Sequence, residues 1–188
     1  MVDTHHGATI EKLGLGLTCS VETFRGCRIE LVKRTSGFNG ISTNKRGEVR
    51  KIEVKTMERS DNWIAINGLT AIDKLFFERD YWLYLVLMPE NIVVMTKALP
   101  FLRLQLELEN KMDFIEELED WMKLTRHITR DSGMQFLPRI NIKFSRPIRS
   151  LVKHIISNPK DKAWHKSVIE IWQNKSKWER LFVAPAED

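Results

Sequence analysis

Three features of the sequence predict an α/β fold. Helical and strand-like periods follow one another in mixed order, residues 81–87 are almost wholly apolar, and nothing repeats. The 188 residues are enough for a domain with a sizeable core, with or without an appended half-domain. We expect a core over 1–100 and an extension over 101–188 packed on it.

Taken in order, residues 9–24 have helical spacing, weakened by about 1 kcal/mol at each of Gly14 and Gly16. Gly26 ends that helix. Ile29 and Leu31 alternate with Arg28 and Glu30, which suits a strand over 27–33. Residues 36–40 are turn-rich, residues 41–43 begin a second strand, and 44–47 form a hairpin loop. Residues 49–57 form a third strand and 63–66 a short fourth. Leu69, Ile72, Leu75 and Phe76 predict a helix over 67–79, followed by strands over 81–87 and 92–95. The apolar 81–87 run is what a strand covered on both faces requires.

Beyond Pro100, Leu102, Leu104, Leu106 and Leu108 alternate with polar residues and predict a strand, although Leu, Gln and Glu also favour helix. A helix is predicted over 111–128, with Met112, Ile115, Leu118 and Met122 on one face and acids opposite. Ile140, Ile142 and Phe144 alternate, as a strand pairing with 102–108 would. Ser145 can cap a helix over 148–156, and Asn158-Pro159 can start a last helix reaching Trp172.

The composition is 43% hydrophobic and 29% charged, with no apolar run near the ~20 residues of a membrane helix. The first residues lack a signal-peptide profile. Cys19 and Cys27 match no zinc spacing and build no disulfide framework, so a reducing, cytoplasmic setting is expected. No phosphate-binding glycine motif is present. Net charge is +5, unevenly spread. Residues 25–59 hold ten Lys or Arg against four Asp or Glu, 101–125 three against seven, and 126–188 thirteen against six. Lys33, Arg34, Lys45, Arg46, Arg50 and Lys51 could meet a phosphate backbone, or be solvated charge on an exposed hairpin. The lysines and tryptophans near the C-terminus fit a helix with Trp inward better than a binding surface.

The chemistry centres on Glu53-Val54-Lys55. Alternate residues of a strand share a face, so Glu53 and Lys55 project together while Val54 faces the other way. A carboxylate can hold a divalent ion through hard oxygen, and a neighbouring ammonium can orient water and steady charge at phosphorus. Glu-x-Lys by itself is common in surface salt bridges.

Its context adds to it. Gly37-Phe38-Asn39 precedes Ile52-Glu53-Val54-Lys55, and Tyr81-Trp82-Leu83-Tyr84 follows. In this order the pieces resemble the PD-(D/E)XK, or restriction-endonuclease-like, superfamily, most closely Mrr-like and NO VEIN C-terminal-type domains, over roughly residues 8–97. The resemblance implies a mixed central sheet flanked by helices, with an α+β or mostly helical C-terminal extension. It implies a Mg2+- or Mn2+-dependent DNA endonuclease of restriction or defence type, with Glu53 as metal ligand, Lys55 as catalytic lysine and Glu11 as the helix acid that completes the site. Asn39 stands where that family places its first metal-binding aspartate. Three accounts follow: a degenerate member that binds DNA without cutting, an aspartate replaced to hold the site inactive, or substitution by Glu30 or Glu48. A homodimer, or a protein partner on the C-terminal third, is the further expectation.

Overall fold

The computed structural model describes residues 4–58, 61–108, 111–131, 139–143, 147–162 and 167–184. Their elements run α1 (Thr4–Phe24), β1 (Arg28–Leu31), β2 (Gly40–Thr43), β3 (Val49–Met57), β4 (Trp63–Asn67), α2 (Leu69–Phe77), β5 (Tyr81–Leu87) and β6 (Ile92–Lys97). There follow α3 (Ala98–Leu108), α4 (Met112–Asp131), β7 (Arg139–Lys143), α5 (Ile148–Ser157), β8 (Val168–Asn174) and β9 (Trp178–Val183). The protein is α/β. Seven strands form one mixed sheet in the order β1-β2-β3-β5-β6-β8-β9, and β4 pairs with β7 separately.

Local chemistry sets the joints. α1 ends where Gly26 adopts φ +78° and the Cys27 N–H returns to the Glu22 carbonyl at 2.9 Å. In the β2–β3 loop the Asn44 side-chain oxygen accepts from the N–H groups of Arg46 (2.8 Å) and Glu48 (3.0 Å). β3 and β5 are parallel, so the chain must cross over between them, which it does through β4 and α2.

All seven residues of β5 are buried, because both sheet faces are covered. Leu83, Leu85 and Leu87 face one core with Phe38, Ile72, Leu102, Ile115 and Leu151. Trp82, Tyr84 and Val86 face the other with Val21, Ile52, Val54 and Trp172. The sheet curls so that both ends reach α1. Trp178 of β9 donates to the Ser20 hydroxyl at 3.0 Å, and Arg25 reaches Glu170 of β8 at 2.6 Å.

Three expectations are corrected. Residues 102–108 are helix, not strand: the buried positions of α3 are Ala98, Phe101, Leu102, Gln105 and Leu106, a helical set. β7 therefore pairs with β4, Ile142 opposite Ile64. The last helix does not reach Trp172. Val168–Asn174 is a strand, whose Ile171 and Trp172 pack on opposite sheet faces when it pairs with β6. β8 and β9 thus belong to the sheet that begins near the N-terminus. The Ser145 cap and Phe144 lie outside the described residues.

No helix among the described residues is long and apolar enough to cross a membrane.

Candidate active site

The site is built where β2 parts from β3. The two strands pair from Thr43 opposite Val49 to Gly40 opposite Ile52. Past that point the Asn39 N–H donates to the Ile52 carbonyl (2.8 Å), and the Asn39 side-chain oxygen accepts from the Val54 N–H (2.7 Å). The side chain thus replaces the missing strand as partner of a backbone donor that would otherwise go unpaired.

The turn leading to Asn39 is fixed by its neighbours. Gly37 sits at φ +77°, and a Cβ there would lie 2.9 Å from the Thr70 backbone at the start of α2. Glycine is therefore needed for both conformation and space. Phe38 is buried, and the Tyr81 hydroxyl donates to the Gly37 carbonyl at 3.1 Å.

Glu53 and Lys55 share a sheet face and pair at 2.5 Å, with side chains only 12% and 19% exposed. Burial pushes the Glu53 carboxyl above its ordinary value. Lys55 opposes that shift, and the charge of Glu11 on α1 reinforces it. Glu11 therefore lies within electrostatic reach of Glu53. Tyr81, raised by burial and by Glu53, stays a neutral phenol. The structure thus brings Glu53, Lys55 and Asn39 together, and Glu11 of α1, the helix packed on the other face of β3, acts on Glu53 only through its charge.

The basic candidates separate. Lys33, Lys45 and Arg46 are exposed, and the side chain of Arg34 lies outside the described residues. Lys51 pairs with Glu78 at 2.5 Å. Arg50 points to the opposite sheet face, stacked 3.9 Å over Trp82, donating to the Tyr84 hydroxyl (3.2 Å) and paired with Glu170 (3.3 Å). It belongs to an internal network missed from the sequence. There Glu22, fully buried, accepts from Tyr84 (2.8 Å), Arg25 (2.5 Å) and Ser42, while Glu170 accepts from Trp172 (2.8 Å). Burial alone would raise the Glu22 carboxyl, but Arg25, Ser42 and Tyr84 outweigh it and hold the group below its ordinary value. Two glutamates balance two arginines, so the charge of Arg50 is matched inside the protein.

The chain matches no family model, no curated protein and no solved structure.

The donor set bears on a divalent ion. Among the described residues no three His, Cys, Asp or Glu side chains cluster as a metal site. Glu53 and the Asn39 oxygen offer a carboxylate and an amide, enough for an ion that keeps several waters or takes substrate oxygens, with the charge of Glu11 within reach. The Glu53 carboxyl, raised by burial and to a lesser degree by the charge of Glu11, fits such a guest, since an added cation stabilises its ionised form. Neither sequence alternative supplies the missing acid from nearby. Glu30 is on β1, two strands from β3, and Glu48 accepts from the Asn44 side chain at 2.5 Å in the hairpin loop.

Proposed function

We propose that this chain is a restriction-endonuclease-like, metal-dependent nuclease that hydrolyses phosphodiester bonds in DNA. The supporting observation is the largely buried Glu53–Lys55 pair on one sheet face, beside the point where β2 turns away and the Asn39 side chain bridges to β3. Mg2+ or Mn2+, held by Glu53 and the Asn39 oxygen with Glu11 nearby, would supply a polarised water and offset charge on the phosphate.

The protein groups have their own tasks. Lys55, positioned by its ion pair, offers an ammonium to a phosphate oxygen or to the attacking water. Glu53 holds Lys55 in that rotamer. Asn39 keeps the Val54 backbone, and so the two side chains that flank it, in register. Exposed Lys45 and Arg46 on the hairpin meet the backbone of the duplex without reading sequence.

A second reading, a nuclease-fold subunit that binds or scaffolds DNA without cutting, is favoured by one observation. The amide at Asn39 carries no charge where a carboxylate would draw the ion more strongly. Its C-terminal third would then serve a partner or a second copy. The exposed Phe114, Trp121 and Leu124 of α4 lie in that part of the chain.

Cleavage of labelled duplex DNA in Mg2+ or Mn2+ separates the two readings. Cutting by the chain that vanishes in Lys55→Ala is the expected result. Binding without cutting, in the chain and in Asn39→Asp alike, would replace the first reading with the second.

A further inference from the structure

The sheet face that carries Glu53 and Lys55 continues outward to the β1 edge. Register places Lys51 beside Ile41 and Ile41 beside Glu30 on that face, with Val49, Thr43 and Arg28 forming the next row. There a hollow of about 370 Å³ opens between Arg28, Glu30, Ile41, Thr43 and Asn44. Thr43 lies opposite Val49, four residues before Glu53, or ~13 Å along the strand.

The groups lining this hollow differ from a phosphate site. Arg28 and Glu30 are exposed and two residues apart on one strand face, and neither side chain has a hydrogen-bond or ion-pair partner among the described residues. Their charges cancel, so the hollow has little net attraction for an anion. It offers a forked donor, a forked acceptor, a hydroxyl and the apolar side chain of Ile41. Asn44 is occupied in the loop, its oxygen by the Arg46 and Glu48 N–H groups and its nitrogen by Glu48. Just beyond, Lys45 and Arg46 supply the cations that flanking phosphates need.

We infer that this hollow receives an unpaired guanine of the substrate strand, a proposal that rests on the nuclease reading above and names its substrate class. A guanidinium matches guanine O6 and N7 bidentately. A carboxylate matches the N1–H and the exocyclic amine of the Watson–Crick edge. Adenine presents a donor where Arg28 needs an acceptor, and cytosine and thymine lack the N7 edge. Because Glu30 reads the pairing edge, the base must be free of its partner. The preferred substrate is therefore single-stranded, frayed or bulged at this position, a few nucleotides from the bond beside Lys55.

Fluorescence anisotropy tests this on the full chain in a chelator, where no cutting occurs. The probes are short thymine oligonucleotides carrying one guanine, 7-deazaguanine, hypoxanthine or adenine. Guanine should bind about tenfold more tightly than adenine, with 7-deazaguanine and hypoxanthine each weaker than guanine. Arg28→Ala should abolish the difference between guanine and 7-deazaguanine. Glu30→Ala should abolish the difference between guanine and hypoxanthine. Both variants remove exposed side chains, and matching unfolding temperatures confirm that they fold. Equal binding of all four probes, a uniform weakening by both variants, or no binding overturns the inference. Guanine preference in a chain that never cuts would sustain it while removing the nuclease reading, and cutting without base preference would do the reverse.

Discussion

The side-chain oxygen of Asn39 and the backbone N–H of Val54 are 2.7 Å apart, a bond that stands in for the strand pairing β3 loses where β2 turns away. A carboxylate at this position keeps the bond and adds a charge beside Glu53. Asn39→Asp should therefore fold normally and bind Mg2+ or Mn2+ about tenfold more tightly by titration calorimetry. Asn39→Ala leaves a backbone donor without its partner. It should lose about 1–3 kcal/mol in urea unfolding. Equal stability of the alanine variant would mean that the bond does not organise the site.

Glu53 gives the site a pH dependence with a defined sign. Its carboxyl is raised from an ordinary 4.5 by burial, with Glu11 reinforcing and Lys55 opposing. A group raised on folding contributes stability that is present below 4.5 and lost as pH rises through its folded value. Glu22, depressed on folding, contributes in the opposite sense, stabilising above 4.5 and losing that effect as pH falls. The two offset each other in a stability profile, so ion binding is the cleaner readout. An ion needs ionised Glu53, so affinity should climb as pH rises above 4.5, with proton release. A Glu53→Gln chain should lose both the climb and most of the affinity.

The basic residues that look alike in sequence should behave differently in experiment. Arg50→Ala breaks the contacts with Glu170, Tyr84 and Trp82 and leaves buried acids undercompensated. It should cost about 3–5 kcal/mol of stability. Lys45→Ala with Arg46→Ala removes exposed charges. Stability should change by less than about 0.5 kcal/mol per substitution, and the salt dependence of DNA binding should flatten by about one to two phosphates. A stable Arg50→Ala chain with weakened DNA binding would assign that arginine to the surface after all.

What could be read from the sequence follows the reach of each signal. β5 was legible because a strand buried on both faces has to be apolar throughout, and the Glu53–Lys55 face because strand alternation is strictly local. α3 was missed because its leucines also fall at alternate positions, while the contacts that decide its state come from Phe101, Leu102, Gln105 and Leu106 together. β8 was hidden by the lysines and tryptophans around it, which with Trp172 resemble an amphipathic helix until Ile171 and Trp172 are seen on opposite sides of a sheet. The role of Arg50 could not be read at all, since its partner Glu170 lies 120 positions away.

Gly14 shows how closely α1 and the site strand are coupled. In sequence it only weakens a helix, yet a Cβ at this position would lie 1.9 Å from the Thr56 hydroxyl oxygen on β3, one residue past Lys55. Alanine would favour the isolated helix by about 1 kcal/mol, but overpacking against a stiff β-branched neighbour costs about 1–3 kcal/mol. The balance should be a net loss of stability, with α1 pushed off β3. Glu11 lies one helical turn from Gly14 on α1, so ion affinity should fall with it. Thr56→Ala clears the space, so Gly14→Ala with Thr56→Ala should recover most of both losses in a double-mutant cycle. If Gly14→Ala loses stability while ion affinity is unchanged, α1 has moved and Glu11 has no part in the site.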